Sequence, residues 1–461
     1  MTAQLGNDSA SSRSLDFQKG EVAKRDWIAA SPAYLVQTGR PRVYEIGGVD
    51  ALDDSTAGLD VEWLADIVEY QSPLTMRTCR PGIFALRPGA IVSESGAKAC
   101  LDVTFPDRLE SGSGDGGMEA IEAELVSTLA SLDMERTVFH LSAGLDSSLL
   151  VLLAHRLHGA KSVRAVTFRG GGSGGDAEAD IVERMCGELH IDLHVLDFKE
   201  VDLWSAAERM IAVLKMPAGH PSTLARFLLD EWAVGKGASA VVSGRGADEV
   251  FGGYDWHLAH VRHGQHQARI RATEPSVVRA LFPGWHGESD RAYKSFFFGS
   301  YSLDRRLQYD LATLGADWQF IEAQIARDLN IETIAPFARP DVARAAYQLP
   351  YKMKIQGSRQ KVAMRDHFSD LYPAILLAQP KRGLTFDIGA FLGRHSSDEI
   401  LARIGGDWLD AFGGQLELPV LENMLSSTLD GSKPFGWQIW NLYLASLIEN
   451  SVPGLSEEGV R

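Results

Sequence analysis

The chain has 461 residues, of which 45% are hydrophobic and 23% are charged, and these values are typical of a globular protein long enough for two domains. The net charge of −16 opposes contact with a phosphate backbone, so we expect no nucleic-acid partner. The sequence has no apolar run long enough to cross a membrane and no signal peptide, so we expect no membrane association. The three cysteines lack Cys-x-x-Cys spacing, which is typical of a reducing cytoplasm.

The amino-terminal quarter of the chain differs in composition from the rest. Residues 1–25 are polar and are predicted to be disordered. Residues 26–110 contain short strand-like runs and one helix-like segment at 61–70, which indicates a small β-rich domain. The glycine-rich and serine-rich stretch 111–117 is predicted to be a linker, and residues 118–461 then form the larger domain.

The larger domain begins with alternating strand and helix patterns. Strands are predicted at 137–140, 163–168, 193–198 and 238–243, with helical segments between them. Such alternation predicts an α/β fold with a parallel sheet covered by helices on both faces, followed by a mainly helical part. Ligands of such sheets bind beyond the carboxyl ends of the strands.

The segment 141–148, Leu-Ser-Ala-Gly-Leu-Asp-Ser-Ser, follows the first of these strands and leads into a helix. A helix that starts after a glycine-containing loop directs free N–H groups toward one point, which is typical of a phosphate site. The candidate phosphate-binding residues are Leu141, Ser142, Gly144, Leu145, Asp146, Ser147 and Ser148. Asp146 would repel phosphate unless Mg²⁺ lay between them. The alternative is a plain strand–helix turn with serine caps.

A second loop, 243–254, reads Ser-Gly-Arg-Gly-Ala-Asp-Glu-Val-Phe-Gly-Gly-Tyr. Its four glycines cost conformational entropy, which a sharp turn that brings a carboxylate to a metal ion would justify. Both loops follow strands of one parallel sheet, so we expect them to meet at its edge. Asp146 and Asp248 are then expected to share Mg²⁺, and both side chains are expected to be exposed there.

Together the two loops resemble a known family. The first is similar to the PP-loop of ATP pyrophosphatases, in the version found in asparagine synthetase-type amide ligases, and the second matches that family's loop at every defined position. No Walker A lysine follows the first loop. The resemblance implies a fold of the PP-loop type, binding of ATP with Mg²⁺, and cleavage between the α- and β-phosphates. It also places Phe168, Ser243 and Gly244 beside ATP.

Two lysine segments extend the resemblance. Residues 357–365 and 379–384 are similar to family segments in which one lysine grips pyrophosphate and the other stabilises charge as an amine attacks an acyl-adenylate. The resemblance gives these roles to Lys361 and Lys381, and Arg245 and Glu249 complete the catalytic candidates. The sequence departs from the family at two positions: Ile334 stands where arginine is usual, and Arg339 where aspartate is usual.

The substrate is indicated by the amino-terminal part. Residues 80–89 resemble the later part of a glutaminase-like domain, but the chain starts with Met1 and Thr2 instead of cysteine and the domain is short, so glutamine hydrolysis is not expected. Shrunken domains of this kind, without the catalytic amino-terminal cysteine, resemble those of lasso-peptide cyclases. The resemblance implies a precursor peptide as substrate, with a leader-peptide-binding protein and a leader protease as partners. An amidotransferase that uses free ammonia or a small amine, and an inactive scaffold, remain as alternatives.

Two further features carry weaker signals. His257, His260, His263 and His266 recur every third residue, a spacing that drifts around a helix and brings no carboxylate, so a metal site is not favoured. The glycine-rich stretch 169–175 is compatible with a flap beside the nucleotide or with a passive loop.

Overall fold

The computed structural model of the chain describes residues 2–4, 13–16, 22–24, 33–36, 42–45, 58–70, 75–87, 90–95, 98–103, 117–170, 175–217, 220, 222–263, 273–285, 287, 302–377, 387–412 and 415–448. The predicted linker residues 111–116, the glycine-rich residues 171–174, His266 and Lys381 lie outside these ranges.

The amino-terminal part is β-rich. Its elements are β1 (Thr2–Gln4), β2 (Arg13–Asp16), β3 (Val22–Lys24), β4 (Ala33–Val36), β5 (Arg42–Glu45), α1 (Val61–Tyr70), β6 (Ile83–Ala85), β7 (Ala90–Ser95) and β8 (Lys98–Val103). They form two four-stranded sheets, with the orders β1-β3-β7-β8 and β2-β5-β4-β6. Within residues 1–25, for which the sequence predicts disorder, the structure describes the strands β1, β2 and β3. Pairing of β2 with β5 and of β3 with β7 supplies order that polar composition does not reveal.

Helix α1 connects this part to the rest of the chain. The predicted helix at 61–70 is confirmed, and Trp63 and Leu64 are buried in a core shared with residues 436–446 near the carboxyl terminus. The Thr273 hydroxyl donates to the carbonyl of Val68 at 2.9 Å. The two parts therefore share one hydrophobic core, although they differ in composition.

The remaining elements follow in chain order. From α2 to α6 they are α2 (Met118–Ala130), β9 (Thr137–His140), α3 (Leu145–His158), β10 (Arg164–Arg169), α4 (Gly175–Leu189), β11 (Asp192–Asp197), α5 (Leu203–Leu214) and α6 (Ser222–Gly235). From β12 to β13 they are β12 (Ala240–Val242), α7 (Ala247–Phe251), α8 (Asp255–His263), α9 (Pro275–Leu281), α10 (Leu303–Asp310), a π-helical turn (Leu311–Gly315), α11 (Ala316–Asp328) and β13 (Glu332–Ile334). The last are α12 (Pro340–Gln348), α13 (Tyr351–Lys354), β14 (Ile355–Gln356), β15 (Arg359–Gln360), α14 (Val362–His367), α15 (Ala374–Leu377), α16 (Ile388–Leu392), α17 (Ser397–Ile404), α18 (Gly406–Ala411), α19 (Leu418–Leu429) and α20 (Gly436–Ser446).

The predicted parallel sheet flanked by helices is confirmed. Five strands pair in parallel in the order β11-β10-β9-β12-β13. Successive side chains of a strand point to opposite faces. Val138 and Val241 accordingly belong to one buried core, and Phe139 and Val242 belong to the other. The sheet is thus buried on both faces, as its nearly continuous apolar strands require.

The strand order fixes the position of the site. The chain moves outward from β9 through β10 to β11, and then returns to place β12 on the other side of β9. Such a reversal opens a crevice beyond the carboxyl ends of the two neighbouring strands. Val242 pairs with Phe139, so β9 and β12 end at the same level and their following loops face each other.

Candidate active site

The first predicted loop is shorter than expected because helix α3 begins at Leu145. The helix therefore includes Asp146, Ser147 and Ser148 in its first turn, and only residues 141–144 form the loop. Within it the Ser142 N–H donates to Ser147 Oγ at 3.0 Å, and the Ser148 hydroxyl donates to the Ser142 carbonyl at 2.9 Å. These bonds fold the loop tightly over the amino end of a 14-residue helix, where partial positive charge accumulates.

An internal carboxylate already uses one donor of this loop. The Ala143 N–H donates to Glu178 Oε1, on α4, at 3.2 Å. In this contact the loop N–H group donates to an anionic oxygen. The residues therefore fit the binding of a phosphate oxygen at the helix start.

The two predicted loops meet, as expected. A β-carbon on Gly244 would lie 2.9 Å from the Ser147 nitrogen and 3.0 Å from Asp146 Cβ, which is closer than side chains normally approach. Gly244 thus permits the backbone of the second loop to touch the start of α3. Gly253 has the same role at the other end of the loop, since a β-carbon there would lie 1.8 Å from Asp248 Oδ1 and 2.2 Å from Lys361 Cε.

Three predicted site residues converge in one place. The Lys361 ammonium lies 2.5 Å from both Asp146 carboxylate oxygens and 2.5 Å from Asp248 Oδ1. Asp146 comes from α3, Asp248 from α7, and Lys361 from the residue before α14. Residues far apart in sequence therefore combine into one charged cluster at the strand edge, although Asp146 and Lys361 are separated by 215 positions.

The expectation that both carboxylates are exposed is wrong. Asp146 is only 8% exposed and the Asp248 side chain 14%, and Lys361 is 4% exposed. The first turn of α3 and the glycine-rich second loop close around the carboxylates, and the lysine supplies the opposite charge that burial of two carboxylates requires.

The backbone at Lys361 is unusual for a residue with a side chain. Its φ of 55° and ψ of 40° place it in the left-handed region, which costs a non-glycine residue about 1–2 kcal/mol. The preceding Gln360 is fixed because its side-chain amide donates to the carbonyls of Gly252 and Tyr254, at 3.4 and 2.7 Å. Strain held by surrounding contacts is typical of residues whose direction matters for function.

The donor set of this cluster fits a divalent cation in part. Two carboxylates already converge on one positive charge, and oxygen ligands of this kind suit Mg²⁺, with phosphate oxygens and water as the remaining ligands. Among the described residues no group of three or more His, Cys, Asp and Glu side chains forms a metal site. Asp146 and Asp248 could therefore hold Mg²⁺ only together with a bound phosphate.

Glu249, a predicted catalytic residue, points into a buried network. It accepts a hydrogen bond from the Tyr254 hydroxyl at 2.8 Å. Burial raises the pKa of the Glu249 carboxyl to about 7, and the neighbouring Asp248 adds to this effect. Tyr254 stacks on Trp256 with ring centroids 4.2 Å apart, so this side of the loop is anchored in the protein interior. Glu249 thus holds the loop in place in this structure.

His257 is a structural residue of the same region. Its Nε2 lies 2.7 Å from Asp310 Oδ2, which also accepts hydrogen bonds from Trp256 Nε1 at 2.8 Å and from Arg306 Nε at 2.9 Å. Burial lowers the pKa of His257 below its usual value. Burial alone would raise the pKa of Asp310, but Arg306 and His257 bring it below its usual range. A neutral histidine therefore donates to a buried carboxylate.

This arrangement predicts a pH dependence of stability. A histidine whose folded-state pKa is lowered adds stability above its unfolded pKa, and this stability is lost as the pH falls through the folded value. We expect the free energy of unfolding to decrease from about pH 7.5 to about pH 5.5, with a slope of up to about 1.4 kcal/mol per pH unit for each such group. His257→Gln should reduce this slope in thermal or urea unfolding. His140→Gln should reduce it as well, because burial also lowers the pKa of His140. An unchanged slope in both variants would contradict the assignment.

A second buried network surrounds Arg245. Its Nε donates to Glu322 Oε2, and Glu322 Oε1 accepts from Arg226 Nη1 at 2.7 Å. Arg226 also donates to Asp230 at 2.8 Å, and Asp230 lies 3.0 Å from Nε2 of His140. Burial alone would raise the pKa of Asp230, but Arg226 and His140 lower it. A chain of alternating charges thus links the residue before the first loop to the second loop.

Of the remaining predicted site residues, Leu141, Leu145 and Ser243 make hydrogen bonds at the loops, and Phe168 belongs to the core. The Leu141 N–H pairs with the Val166 carbonyl at 2.9 Å, and the Leu145 carbonyl accepts from the Tyr372 hydroxyl at 3.2 Å, so both hold the loop from its ends. Ser243 is buried beside Ile334, whose carbonyl accepts its N–H at 2.9 Å. Phe168 is a core residue: it is buried and its ring lies 4.7 Å from that of Phe198.

The comparison with protein families agrees with these loops. The family model for Asparagine synthase matches residues 135–449, about two thirds of the chain. The chain belongs to the asparagine synthase family. The family resemblance drawn from the two loops is therefore confirmed, whereas the comparison does not identify a substrate.

Two curated relatives and one solved structure are similar to parts of the chain. A putative glutamine-hydrolyzing asparagine synthetase of Mycobacterium tuberculosis is 24% identical over 374 residues, which cover 69% of this chain and 56% of that protein. Amidase chry2 of Gibberella zeae is 26% identical over 221 residues, which cover 43% of this chain and 33% of that protein. The ammonia-dependent NAD synthetase of Campylobacter jejuni is 20% identical with a TM-score of 0.22, covering 30% of this chain and 60% of that chain. The chain thus spans between a third and just over half of the length of these two curated relatives.

The structure locates the two positions at which the sequence analysis noted a departure from the family resemblance. Ile334 ends β13 and is half-buried, and Arg339 is exposed at the start of α12.

No helix among the described residues is long and apolar enough to cross a membrane. Burial raises the pKa of the Cys79 and Cys186 thiols to about 12, so neither thiol is a nucleophile at neutral pH.

Sequence reasoning missed the residues that support the site from behind. Glu322, Asp230 and Asp310 lie on helices and are fully enclosed, yet nothing in the sequence distinguishes them from exposed acidic residues. The structure adds one signal that the sequence does not show: Asp310 precedes a π-helical turn in an otherwise continuous helix, and such turns often occur near functional sites.

Proposed function

We propose that this chain is an ATP-dependent, AMP-forming carbon–nitrogen ligase that acts as a lasso-peptide cyclase. It would adenylate an Asp or Glu side chain of a precursor peptide and close a macrolactam with the peptide's amino terminus. The observation that carries the ligase assignment is the meeting of Asp146, Asp248 and Lys361 at the carboxyl ends of β9 and β12. This cluster combines two ligands for a hard cation with one cation for phosphate, directly beside a helix start.

The first step would be adenylation. The substrate carboxylate attacks the α-phosphorus of ATP, a new P–O bond forms, and the bond to pyrophosphate breaks. Ser142, Ser147 and the amino end of α3 bind phosphate oxygens. The Lys361 ammonium contacts the departing pyrophosphate and stabilises its negative charge. Mg²⁺, held by Asp146 and Asp248, would shield the charge of the triphosphate when bound. Burial of the cluster strengthens each of these electrostatic contacts.

The second step would be amide formation. The amine attacks the acyl carbon, loses a proton, and AMP leaves as the C–N bond forms. The family resemblance assigns stabilisation of the developing oxyanion to Lys381. Glu249 lies next to Asp248 and has a raised pKa, but in this structure its partner is Tyr254, so we assign it to loop positioning.

A peptide substrate is favoured over glutamine-derived ammonia by three features. The two cysteines with described side chains are buried and have raised thiol pKa values, so neither could act as the nucleophile that hydrolyses the glutamine side-chain amide. Helix α1 of the β-rich amino-terminal part is packed into the core of the larger part of the chain. Arg245 occupies a loop position where the resemblance leads us to expect Glu in ammonia-using enzymes or Tyr in β-lactam-forming ones.

The reaction class can be tested without knowing the amine. With a suitable carboxylate substrate and Mg²⁺, the purified protein should exchange labelled pyrophosphate into ATP and should release AMP instead of ADP. The expectation rests on a phosphate loop that lacks the Walker A lysine. Stoichiometric ADP and phosphate would exclude the proposed ligase class.

The amine that accepts the acyl group distinguishes the cyclase from the amidotransferase. With a precursor peptide and a leader-binding protein, a cyclase gives a peptide product lighter by one water. An amidotransferase gives an acyclic amide only when ammonia or a small amine is added. A protein that supports neither exchange nor product formation would fit the inactive scaffold.

A further inference from the structure

The charges around Arg245 are balanced in pairs. Asp230 and Glu322 are both buried and both contact Arg226, so one guanidinium serves two carboxylates. Arg245 supplies the second positive charge through its bond to Glu322. His140 is uncharged in this setting because burial lowers its pKa. The network is therefore neutral with Arg245 in place, and loses that neutrality when only Arg245 is replaced by an uncharged residue.

Only part of the Arg245 guanidinium is used by this network. Its Nε contacts Glu322, whereas neither terminal nitrogen has a hydrogen-bond partner among the residues that the structure describes. The side chain is 18% exposed, in contrast to 7% for Arg226. An arginine anchored through Nε keeps the two terminal nitrogens for a planar partner with two oxygens, which is the geometry of carboxylate recognition.

The position of Arg245 is within the active site. Its neighbour Gly244 touches the start of α3 at Ser147, and its other neighbour Gly246 lies against Ala338, just beyond β13. Two residues before it, the Ser243 hydroxyl is 95% buried, since the residue is 5% exposed, and has no partner among the described residues. An unpartnered buried hydroxyl costs about 1–3 kcal/mol, so it points to a polar ligand group at the end of β12.

Electrostatics explains why a further cation is needed here. A bound triphosphate, Asp146 and Asp248 would together carry more negative charge than Mg²⁺ and Lys361 would neutralise. An anionic nucleophile that approaches the α-phosphate would be repelled unless a positive group receives it. Arg245 contacts Glu322 on α11, whereas Lys361 contacts the two aspartates, so the two cations have different neighbours.

We propose that Arg245 determines substrate specificity by binding the carboxylate that is to be adenylated, and that Glu322 is the positioning residue that fixes its guanidinium. The inference rests on the proposed ligase function and defines the acyl substrate as a free carboxylate recognised by a two-pronged hydrogen bond. The competing explanation is that Arg245 serves only as a counter-ion for Glu322.

A chemical probe tests binding without requiring turnover. N-acetyl-L-glutamate α-amide and N-acetyl-L-aspartate α-amide carry the side-chain carboxylate, and N-acetyl-L-glutamine α-amide is the uncharged control. Phenylglyoxal should modify Arg245, and the two carboxylates should protect it while the glutamine compound does not. Arg359, whose side chain is 52% exposed, should be modified equally in all samples, and mass mapping reports each site. Lack of protection by either carboxylate would overturn the proposal even if the ligase activity is absent.

A set of variants then separates recognition from charge balance. In pyrophosphate exchange, Arg245→Gln should raise the KM for the carboxylate by about 10- to 100-fold, as expected for loss of a charged hydrogen bond. The KM for ATP should stay within about threefold of the wild type. The carboxylate KM of Arg245→Lys should lie between the values of the wild type and Arg245→Gln, because lysine keeps the positive charge but cannot form two parallel hydrogen bonds.

The double variant Arg245→Gln/Glu322→Gln is the decisive control. It restores neutrality, so its melting temperature should recover relative to Arg245→Gln, while its carboxylate KM should remain high. Recovery of both quantities would make Arg245 a counter-ion only. An equal rise of the ATP and carboxylate KM values in Arg245→Gln would make it a phosphate contact. Either result overturns the proposal and leaves the ligase assignment intact, whereas absence of exchange in the wild-type protein would refute the ligase assignment itself.

Discussion

Asp146→Asn and Asp248→Asn should each abolish most Mg²⁺-dependent turnover while the protein stays folded. Both side chains converge on one point next to the phosphate loop, where Lys361 contacts them at 2.5 Å. Loss of a direct metal contact should reduce activity by at least the roughly 10- to 100-fold that is typical for supporting residues of metal sites. Pyrophosphate exchange measured against Mg²⁺ concentration is the appropriate assay, because a weakened metal site shifts the Mg²⁺ dependence.

Stability measurements add a second readout to these variants. Each single substitution leaves Lys361 with one carboxylate partner, so its effect on unfolding should be moderate. The double variant leaves a buried ammonium without a counter-charge, and should cost about 3–5 kcal/mol. Asp366→Asn is a matched control, since Asp366 pairs with Arg359 on the surface, and should cost no more than about 1 kcal/mol. If either single variant kept activity within about threefold of the wild type, the metal site would lie elsewhere.

The parallel sheet could be predicted because its strands alternate with helices in sequence. Buried parallel strands are short apolar runs, and the helices between them show an apolar stripe, so both periods are visible in one sequence. The meeting of the two loops followed from the same rule, since parallel strands present their carboxyl ends at one edge. The sequence showed only an unusual density of glycine in the second loop. The structure gives the reason at Gly244, where the backbone touches the start of α3 and leaves no space for a side chain.

The amino-terminal strands could not be predicted from the sequence. Strands β1, β2 and β3 are three or four residues long and obtain their order from neighbouring backbone groups. Runs of three or four residues are too short to show a periodic hydrophobic pattern. The linker and the two domains predicted around it remain a prediction, although helix α1 is part of the larger core.

The burial of charged groups was the other feature that the sequence concealed. An aspartate at a strand edge is expected to be solvated, yet Asp146 and Asp248 are enclosed because Lys361, 215 residues from Asp146, lies between them and offsets part of their charge. Arg226, Asp230 and Glu322 likewise become recognisable only as a network. Pairing of this kind depends on tertiary contacts between distant residues, which no local pattern encodes.

Lys361 and Lys381, the two lysines that the family resemblance assigns to the site, should act at different steps. The resemblance assigns Lys361 to pyrophosphate and Lys381 to the charge that develops when the amine attacks. The structure supports the first role, since Lys361 lies between two carboxylates beside the phosphate loop, whereas Lys381 is outside the described residues. Lys381→Ala should therefore lose amide formation by roughly 10²- to 10³-fold, because a cation aimed at an oxyanion stabilises the transition state more than the ground state.

Pyrophosphate exchange distinguishes the two lysines because it reports only the first step. Lys381→Ala should keep much of its exchange, and Lys361→Met, which retains the apolar stem but not the charge, should lose both exchange and amide formation. Lys361→Met also leaves Asp146 and Asp248 without the positive charge between them, so its melting temperature should fall. The melting temperature of Lys381→Ala is the value with which it is compared. Both assays need the same precursor peptide and leader-binding protein, so that substrate binding is equal in each. If Lys381→Ala lost exchange as completely as ring closure, Lys381 would be an ATP-binding residue, and the separation of the two steps between the lysines would be wrong.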